Sequence, residues 1–476
     1  MKDQKITFGP WILKKNTVKI ENKLFILSAA VFLIYLPTIF LFYKFAMPNS
    51  SGRPFPVLYG DSADYLALAD NIIKFQSFTL DGQRPVDHIT PGYPLFLALI
   101  LSIFKSYYAV SFIQILLVAI TSFLIFKIGE KIISSTAGFV AAFLYIINPS
   151  TLYYSMVIMS DVLFSFLLVL SVYLMFFANS KRDRAGIFIA GLLLGFAVLV
   201  RPIGMFLPLL FATFYFFSNK KIIDLKKLAI LIFIFITAYG FVLTPWILRN
   251  KISSGVWGIS SLGSFNLFNY NVPLFLSVKY DKDIKEIRTS LYEETNGLNE
   301  QEAKRFEHSK EIQIIALKRI FQDPLGYAVF HLSKIFQFLG GNSSKNFYVD
   351  TMEILRHKSS PFPHIALIDL ILKKEIRLSW EWLKSQHIFN FEYLIWFVIV
   401  MLSFASIVFR KYRWQALLFV SIILYFAVLT GPVAHVRYRF QVEPFMFLSA
   451  LLGFQSFRER TFLFPRRRAK HPHPSV

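Results

Sequence analysis

Residues 24–43 read LFILSAAVFLIYLPTIFLFY, twenty positions without a charge. A helix rises 1.5 Å per residue, so a run of this length crosses the hydrocarbon core of a bilayer. The 23 residues before it carry six lysines, and no small-residue cleavage site follows. The run is also longer than a signal-peptide core, and it reads as an uncleaved signal anchor with its basic flank in the cytoplasm. Comparable apolar stretches recur at 109–126, 134–148, 160–178, 186–200, 203–218, 226–246, 390–409, 414–431 and 440–455. They lack the alternation of barrel strands, and lipid accepts only helices or closed barrels. The expected fold is therefore an all-α polytopic membrane protein with about ten transmembrane helices. Hydrophobic residues make up 55% of the chain and cysteine is absent, which excludes disulfides, thiolate catalysis and thiolate metal sites.

Loop charges set the orientation. If segment 94–104 is not counted as a span, Lys127 and Lys131, then Lys181, Arg182 and Arg184, then Lys220, Lys221, Lys226 and Lys227 all fall on the side of the N-terminus. Counting it sends all of them outside, against the positive-inside rule. Segment 94–104 is thus expected as a helix against the outer face, and both termini are expected in the cytoplasm of a plasma-membrane protein. The net charge of +22 follows from the same rule and does not imply nucleic acid. The expected organisation is a basic N-terminus (1–23), a membrane module (24–246) with an external loop (44–108), an external polar and interfacial region (247–389), C-terminal membrane helices (390–455) and a basic cytoplasmic tail (456–476). Within the third part, the apolar patch 324–341 is expected to be interfacial or re-entrant.

The first external loop holds GDSADYLALADNI (60–72) and HITPGYPLF (88–96), with five acidic residues from Asp61 to Asp87. In a helix starting here, Asp61, Asp64, Tyr65 and Leu68 share one face. A second reading makes Asp61 an N-cap with Asp64 at the third helical position, and the local sequence leaves both open. Asp161 stands at the outer end of an apolar run, where a charge marks either a functional site or a helix N-terminus. Arg201 precedes Pro202 at the end of another run; a guanidinium there suits phosphate through two parallel hydrogen bonds, or it snorkels to headgroups. Arg249, His435, Arg437 and Arg439 are basic residues on the expected external side, against the trend. No histidine constellation suggests a metal, although a divalent ion on Asp61, Asp64 and Asp161 is left open. P-loop, GxGxxG and GxSxG patterns are absent.

These motifs occur in a set order: GDSADYLALA, TPGYPLFLALI, NPSTLYYS, MSDVLF, GLLLGFAVLVRP, TPWILRN and RYRFQVEPF. In this order the chain resembles the C-type (GT-C) membrane glycosyltransferase superfamily, in the branch of protein O-mannosyltransferases and lipid A aminoarabinose transferases. The resemblance implies an inverting transfer of a sugar from a polyprenyl-phosphate donor to a protein, lipid or glycan acceptor on the external face, in contact with membrane lipids and without nucleic acid. It implies that Asp61, four positions before Tyr65, is the general base, that Asp161 is a second acid at the active-site mouth, and that Arg201 lies near donor phosphate. One departure stands out. Many relatives have Lys-Pro-Pro where this chain has Thr90, Pro91 and Gly92, so the cation for the phosphate is expected from His88, Arg84, Arg201, Arg249 or Arg437. A flippase for lipid-linked sugars or a catalytically silent assembly subunit are the alternatives, and the chain lacks the repeated halves usual in transporters.

Overall fold

The computed structural model describes residues 22–23, 26–38, 40, 61–177, 184–341, 390–408, 413–433 and 436–462. Among them the regular structure is helical and no strand occurs. The chain is an all-α polytopic membrane protein. Five helical stretches are long and apolar enough to cross a bilayer, six if one bent pair counts as a single span, and four shorter apolar helices accompany them.

The first described helix, α1 (Ile26–Thr38), is tied inward by the Tyr35 hydroxyl, which donates to the Ile146 carbonyl at 2.8 Å. Then come α2 (Ser62–Phe75), α3 (Gly92–Phe104), α4 (Tyr107–Ile132), α5 (Ser135–Ile147) and α6 (Pro149–Met156). Helix α3 is the segment expected against the outer face; it packs on α2, α4 and α8 and leaves Leu95, Leu99 and Ile103 exposed. Helices α4 and α5 cross in contact because Gly138 has no side chain: a Cβ there would sit 2.4 Å from the Phe126 carbonyl oxygen. The expected span 134–148 continues past its predicted end, because Asn148 accepts from the Ser150 amide and Pro149 starts α6 after a 55° bend.

Next are α7 (Asp161–Val172) with a π turn over Tyr173–Phe177, α8 (Arg184–Val200), α9 (Leu207–Asn219) and α10 (Leu225–Ser254). Helix α10 packs along α8 and is capped by Asp224, whose carboxylate accepts from the amides of Lys226 and Lys227. It outruns the expected span 226–246 by two turns, so Arg249 is helical and not in a loop.

A second hydrophobic core, including Phe265, Phe268, Ile287, Leu291 and Ile312, binds together α11 (Leu262–Asn266), α12 (Val272–Tyr280), α13 (Ile284–Glu293), α14 (Glu300–Ala303) and α15 (Phe306–Phe321). Helix α16 (Pro324–Gly340) follows and packs against α17 (Asn390–Ala405), α18 (Arg413–Thr430) and α19 (Val436–Phe440). Its other side exposes Leu325, Val329, Leu332 and Phe336, an apolar stripe at helical spacing. The last helix, α20 (Glu443–Phe462), lies on α5, α17 and α18 and closes the bundle.

Candidate active site

Helix α2 is fixed at its start. The Ser62 hydroxyl donates to the Ile158 carbonyl at 2.9 Å, which ties the loop helix to the segment leading into α7. Asp61 occupies the N-cap position, yet its carboxylate makes no capping bond. It accepts instead from Arg437 Nη2 at 3.2 Å, across 376 residues of sequence, and it is the exposed member of the site, with 54% of its side chain accessible. Asp161 is the first residue of α7 and is fully buried. Its Oδ1 accepts from Arg201 Nη1 at 2.6 Å and Gln441 Nε2 at 3.1 Å, while Oδ2 accepts from Arg437 Nε at 3.1 Å. Arg201 Nη1 also donates to Ser160 Oγ at 3.3 Å, and its guanidinium lies 5.5 Å from the Tyr438 ring centre. Tyr65 completes the group, its hydroxyl 3.4 Å from Ser160 Oγ.

The network joins four charges, Asp61, Arg437, Asp161 and Arg201, that balance in sign. Each sits at or beside the end of a helix, which lets a charged side chain occur among apolar helices without lying at the centre of a membrane span. Glycine sets one of these approaches. A Cβ at Gly92 would sit 2.6 Å from the backbone of Leu199 and Val200, so TPGYP brings α3 directly against the chain that ends in Arg201. Buried Tyr93 donates to Gln114 at 2.8 Å and meets the Tyr65 ring edge-on at 5.0 Å.

Around Asp61 the neighbouring residues add more titratable groups. Burial raises the Asp64 carboxyl above the usual carboxylate range, with Lys304 opposing and Asp61 reinforcing the shift. Burial, helped by Lys304 and opposed by Asp61, depresses the His88 imidazole to about 4. Folding thus favours the neutral ring. The stability this contributes is full above the unfolded value of 6.5 and is lost as the pH falls toward 4. The wild type is expected to lose at most on the order of 3 kcal/mol over that window, and His88→Gln should flatten the loss. Apparent melting temperature against pH tests this; parallel curves for the two proteins would count against it.

The other expected phosphate ligands are placed differently. Arg249 is a clamp on the loop: it lies 3.7 Å from Asp87 Oδ1, donates to the Val86 carbonyl at 2.9 Å and stacks 4.7 Å from the Trp246 ring centre. Asp87 in turn accepts from the Phe306 amide at 3.3 Å, joining loop, α10 and α15. Arg249→Ala removes a charged hydrogen bond of about 1.5–3 kcal/mol, and is expected to speed limited proteolysis within 76–91. Equal cleavage rates would show that the loop is held elsewhere. Arg84 lies in an exposed turn closed by Asp81, whose carboxylate accepts from the Gln83 and Arg84 amides, and no interaction brings it to Asp61. His435 lies outside the described residues. A divalent ion on Asp61, Asp64 and Asp161 does not fit this arrangement. Asp61 and Asp161 both turn to Arg437, and among the described residues no group of three or more acidic or histidine side chains is set to hold one.

Four participants have no role in the sequence-based expectation: Ser160, Gln441, Tyr438 and Lys304. The first three stand inside or beside the quoted motifs MSDVLF and RYRFQVEPF, so position next to Asp161 and Arg437 was the available signal. Lys304 comes from the helical region after α10 and carries no local signature.

The dolichyl-phosphate-mannose-protein mannosyltransferase family model matches residues 85–246. No curated protein matches the chain in sequence. Among solved structures, the archaeal oligosaccharyltransferase AglB from Archaeoglobus fulgidus in complex with an inhibitory peptide and a dolichol-phosphate is 14% identical, with a TM-score of 0.52 over 97% of this chain and 53% of that one. The apo form of the Archaeoglobus fulgidus oligosaccharyltransferase is 15% identical, with a TM-score of 0.51 over 94% and 51%. ArnT from Cupriavidus metallidurans bound to undecaprenyl phosphate is 9% identical, with a TM-score of 0.39 over 91% and 78%. The chain spans about half the length of the oligosaccharyltransferase chains it matches.

Proposed function

The chain has the fold of the GT-C glycosyltransferase superfamily, and from that premise we propose that it transfers a sugar from a polyprenyl-phosphate donor to an acceptor on the external face of the membrane. One observation carries the reading. Asp61 is an accessible carboxylate whose only described hydrogen bond from another side chain comes from Arg437, and Arg437 is itself anchored on buried Asp161. An accessible base in front of two anchored guanidiniums is the polarity that this reaction needs.

An incoming phosphate competes with Asp61 for Arg437 Nη2. Phosphate accepts bidentate hydrogen bonds from guanidinium, so the exchange frees Asp61 and removes its counter-charge. Asp61 then takes the proton of an acceptor hydroxyl as that oxygen bonds to the anomeric carbon. The bond from that carbon to the phosphate oxygen breaks, the electron pair leaves with polyprenyl phosphate, and configuration inverts. Arg437 and Arg201 stabilise the charge on the leaving group, an electrostatic contribution strongest where water is excluded. Asp161 keeps both guanidiniums in place. No ATP enters, because the donor phosphodiester is already activated.

The reading includes an orientation: both termini cytoplasmic, residues 24–246 as the membrane module with its loop 44–108 outside, 247–389 as an external and interfacial region, and 390–455 closing the bundle. It is tested with purified protein in nanodiscs, a panel of radiolabelled polyprenyl-phosphate sugars and extracted envelope acceptors. Label reaching an acceptor establishes the transferase and names its sugar. Donor binding without transfer would favour the flippase or silent-subunit reading.

A further inference from the structure

We propose that Glu443 is a positioning residue that holds Arg437 in the active site through Arg439; the catalytic part of the proposal rests on the reading above. Arg437 and Arg439 share α19, a helix of five residues. A helix this short has no stability of its own, so side chains must fix its place. Residues two apart are about 200° apart around a helix, so the two guanidiniums leave on nearly opposite sides. One goes to Asp61 and Asp161; the other goes into the bundle.

Arg439 is fully buried. Its Nε donates to Glu443 Oε1 at 3.1 Å, its Nη1 donates to the carbonyls of Leu339 and Gly341, and its guanidinium lies 3.6 Å from the Trp396 ring centre. Glu443, also fully buried, is held from the other side. Its Oε2 accepts from Asn148 Nδ2 at 2.5 Å and its Oε1 from Ser150 Oγ at 3.3 Å. Asn148 is the break between α5 and α6, so the carboxylate ties α19 to a fixed corner of the N-terminal module. Phe440 adds a ring packed between Tyr145 and Tyr154, with centroids at 6.3 Å and 5.3 Å. The contacts described for these groups lie away from Asp61, and together they set the rotation and depth of the helix that presents Arg437.

Glu443→Gln keeps the shape and removes the charge that Arg439 Nε donates to, weakening the hold on a buried guanidinium. The first measurement is hydrogen–deuterium exchange of peptides covering 436–442 in the full-length protein. Uptake in Glu443→Gln is expected to be about tenfold faster than in wild type, and Glu443→Asp is expected to recover part of the protection. The second is a double-mutant cycle on sugar transfer. Displacing Arg437 by about 1 Å is expected to lower turnover by 10- to 100-fold in Glu443→Gln, whereas the same change in an Arg437→Ala background should cost less than about twofold. Equal losses in the two backgrounds would mean that Glu443 serves the bundle and not Arg437, which overturns the proposal. Unchanged exchange in 436–442 overturns it without any activity measurement. Wild-type protein that transfers nothing from any donor defeats the functional reading, while the exchange result still decides whether Glu443 holds α19.

Discussion

Asp61→Asn is expected to lower sugar transfer by about 10²- to 10⁴-fold, the range for loss of a general base, while the protein expresses and melts as wild type does. Both halves follow from one placement. The side chain is 54% exposed, and its ion pair with Arg437 is on the accessible side of that guanidinium, so its removal leaves no buried group without a partner. With Asp61 itself half-exposed, solvent screens the pair, which is expected to contribute on the order of 1 kcal/mol. Arg437 keeps Asp161, so donor binding should survive, and the loss should fall on turnover more than on donor affinity. Asp64→Asn is the internal control. Asp64 shares the exposed helix end but has no part in the ion network, and it should retain most activity. Wild-type turnover in Asp61→Asn, or an equal loss in Asp64→Asn, would remove Asp61 from the mechanism.

Asp161→Asn should behave differently, losing both activity and stability. The buried carboxylate is shared by Arg201, Arg437 and Gln441. Without its charge two guanidiniums stay close together in a buried site, and breaking a buried pair on one side costs about 3–5 kcal/mol. The expected readout is a marked fall in apparent melting temperature in detergent, with transfer undetectable. Combining Asp161→Asn with Arg437→Met removes one of the unbalanced cations and should restore part of the stability without restoring transfer. If Asp161→Asn melts as wild type does, the carboxylate is not the anchor of these two arginines.

The contrast between these two aspartates shows where sequence reading reaches its limit. Asp61 was open between cap and catalytic group because both readings put an acid at a helix start. The backbone satisfies the first and the side chain does not: it turns to Arg437, a partner that no local pattern reveals. For Asp161 the two readings do not compete, since a charge at the first residue of α7 faces the helix dipole and also pairs with Arg201 and Arg437. Arg249 and Arg201 look alike in sequence, each a cation near the end of an apolar run. The extra turns of α10 carry Arg249 to Asp87 and the loop, whereas Pro202 ends α8 with Arg201 beside Asp161. The pair Arg439 and Glu443 had a visible i, i+4 spacing, but such spacing is common and says nothing of burial.

The apolar runs, their lengths and their lack of alternation by themselves determined an all-α membrane protein, because a bilayer leaves the backbone few ways to satisfy its hydrogen bonds. The order of short polar motifs was likewise enough to suggest the superfamily. Which acid pairs with which arginine was decided only by the tertiary structure. Asp61, Asp161, Arg201 and Arg437 come from four separate elements, and a Coulomb interaction depends on distance in space, which the helix crossing at Gly138 and the bend at Asn148 set without trace in local charge pattern.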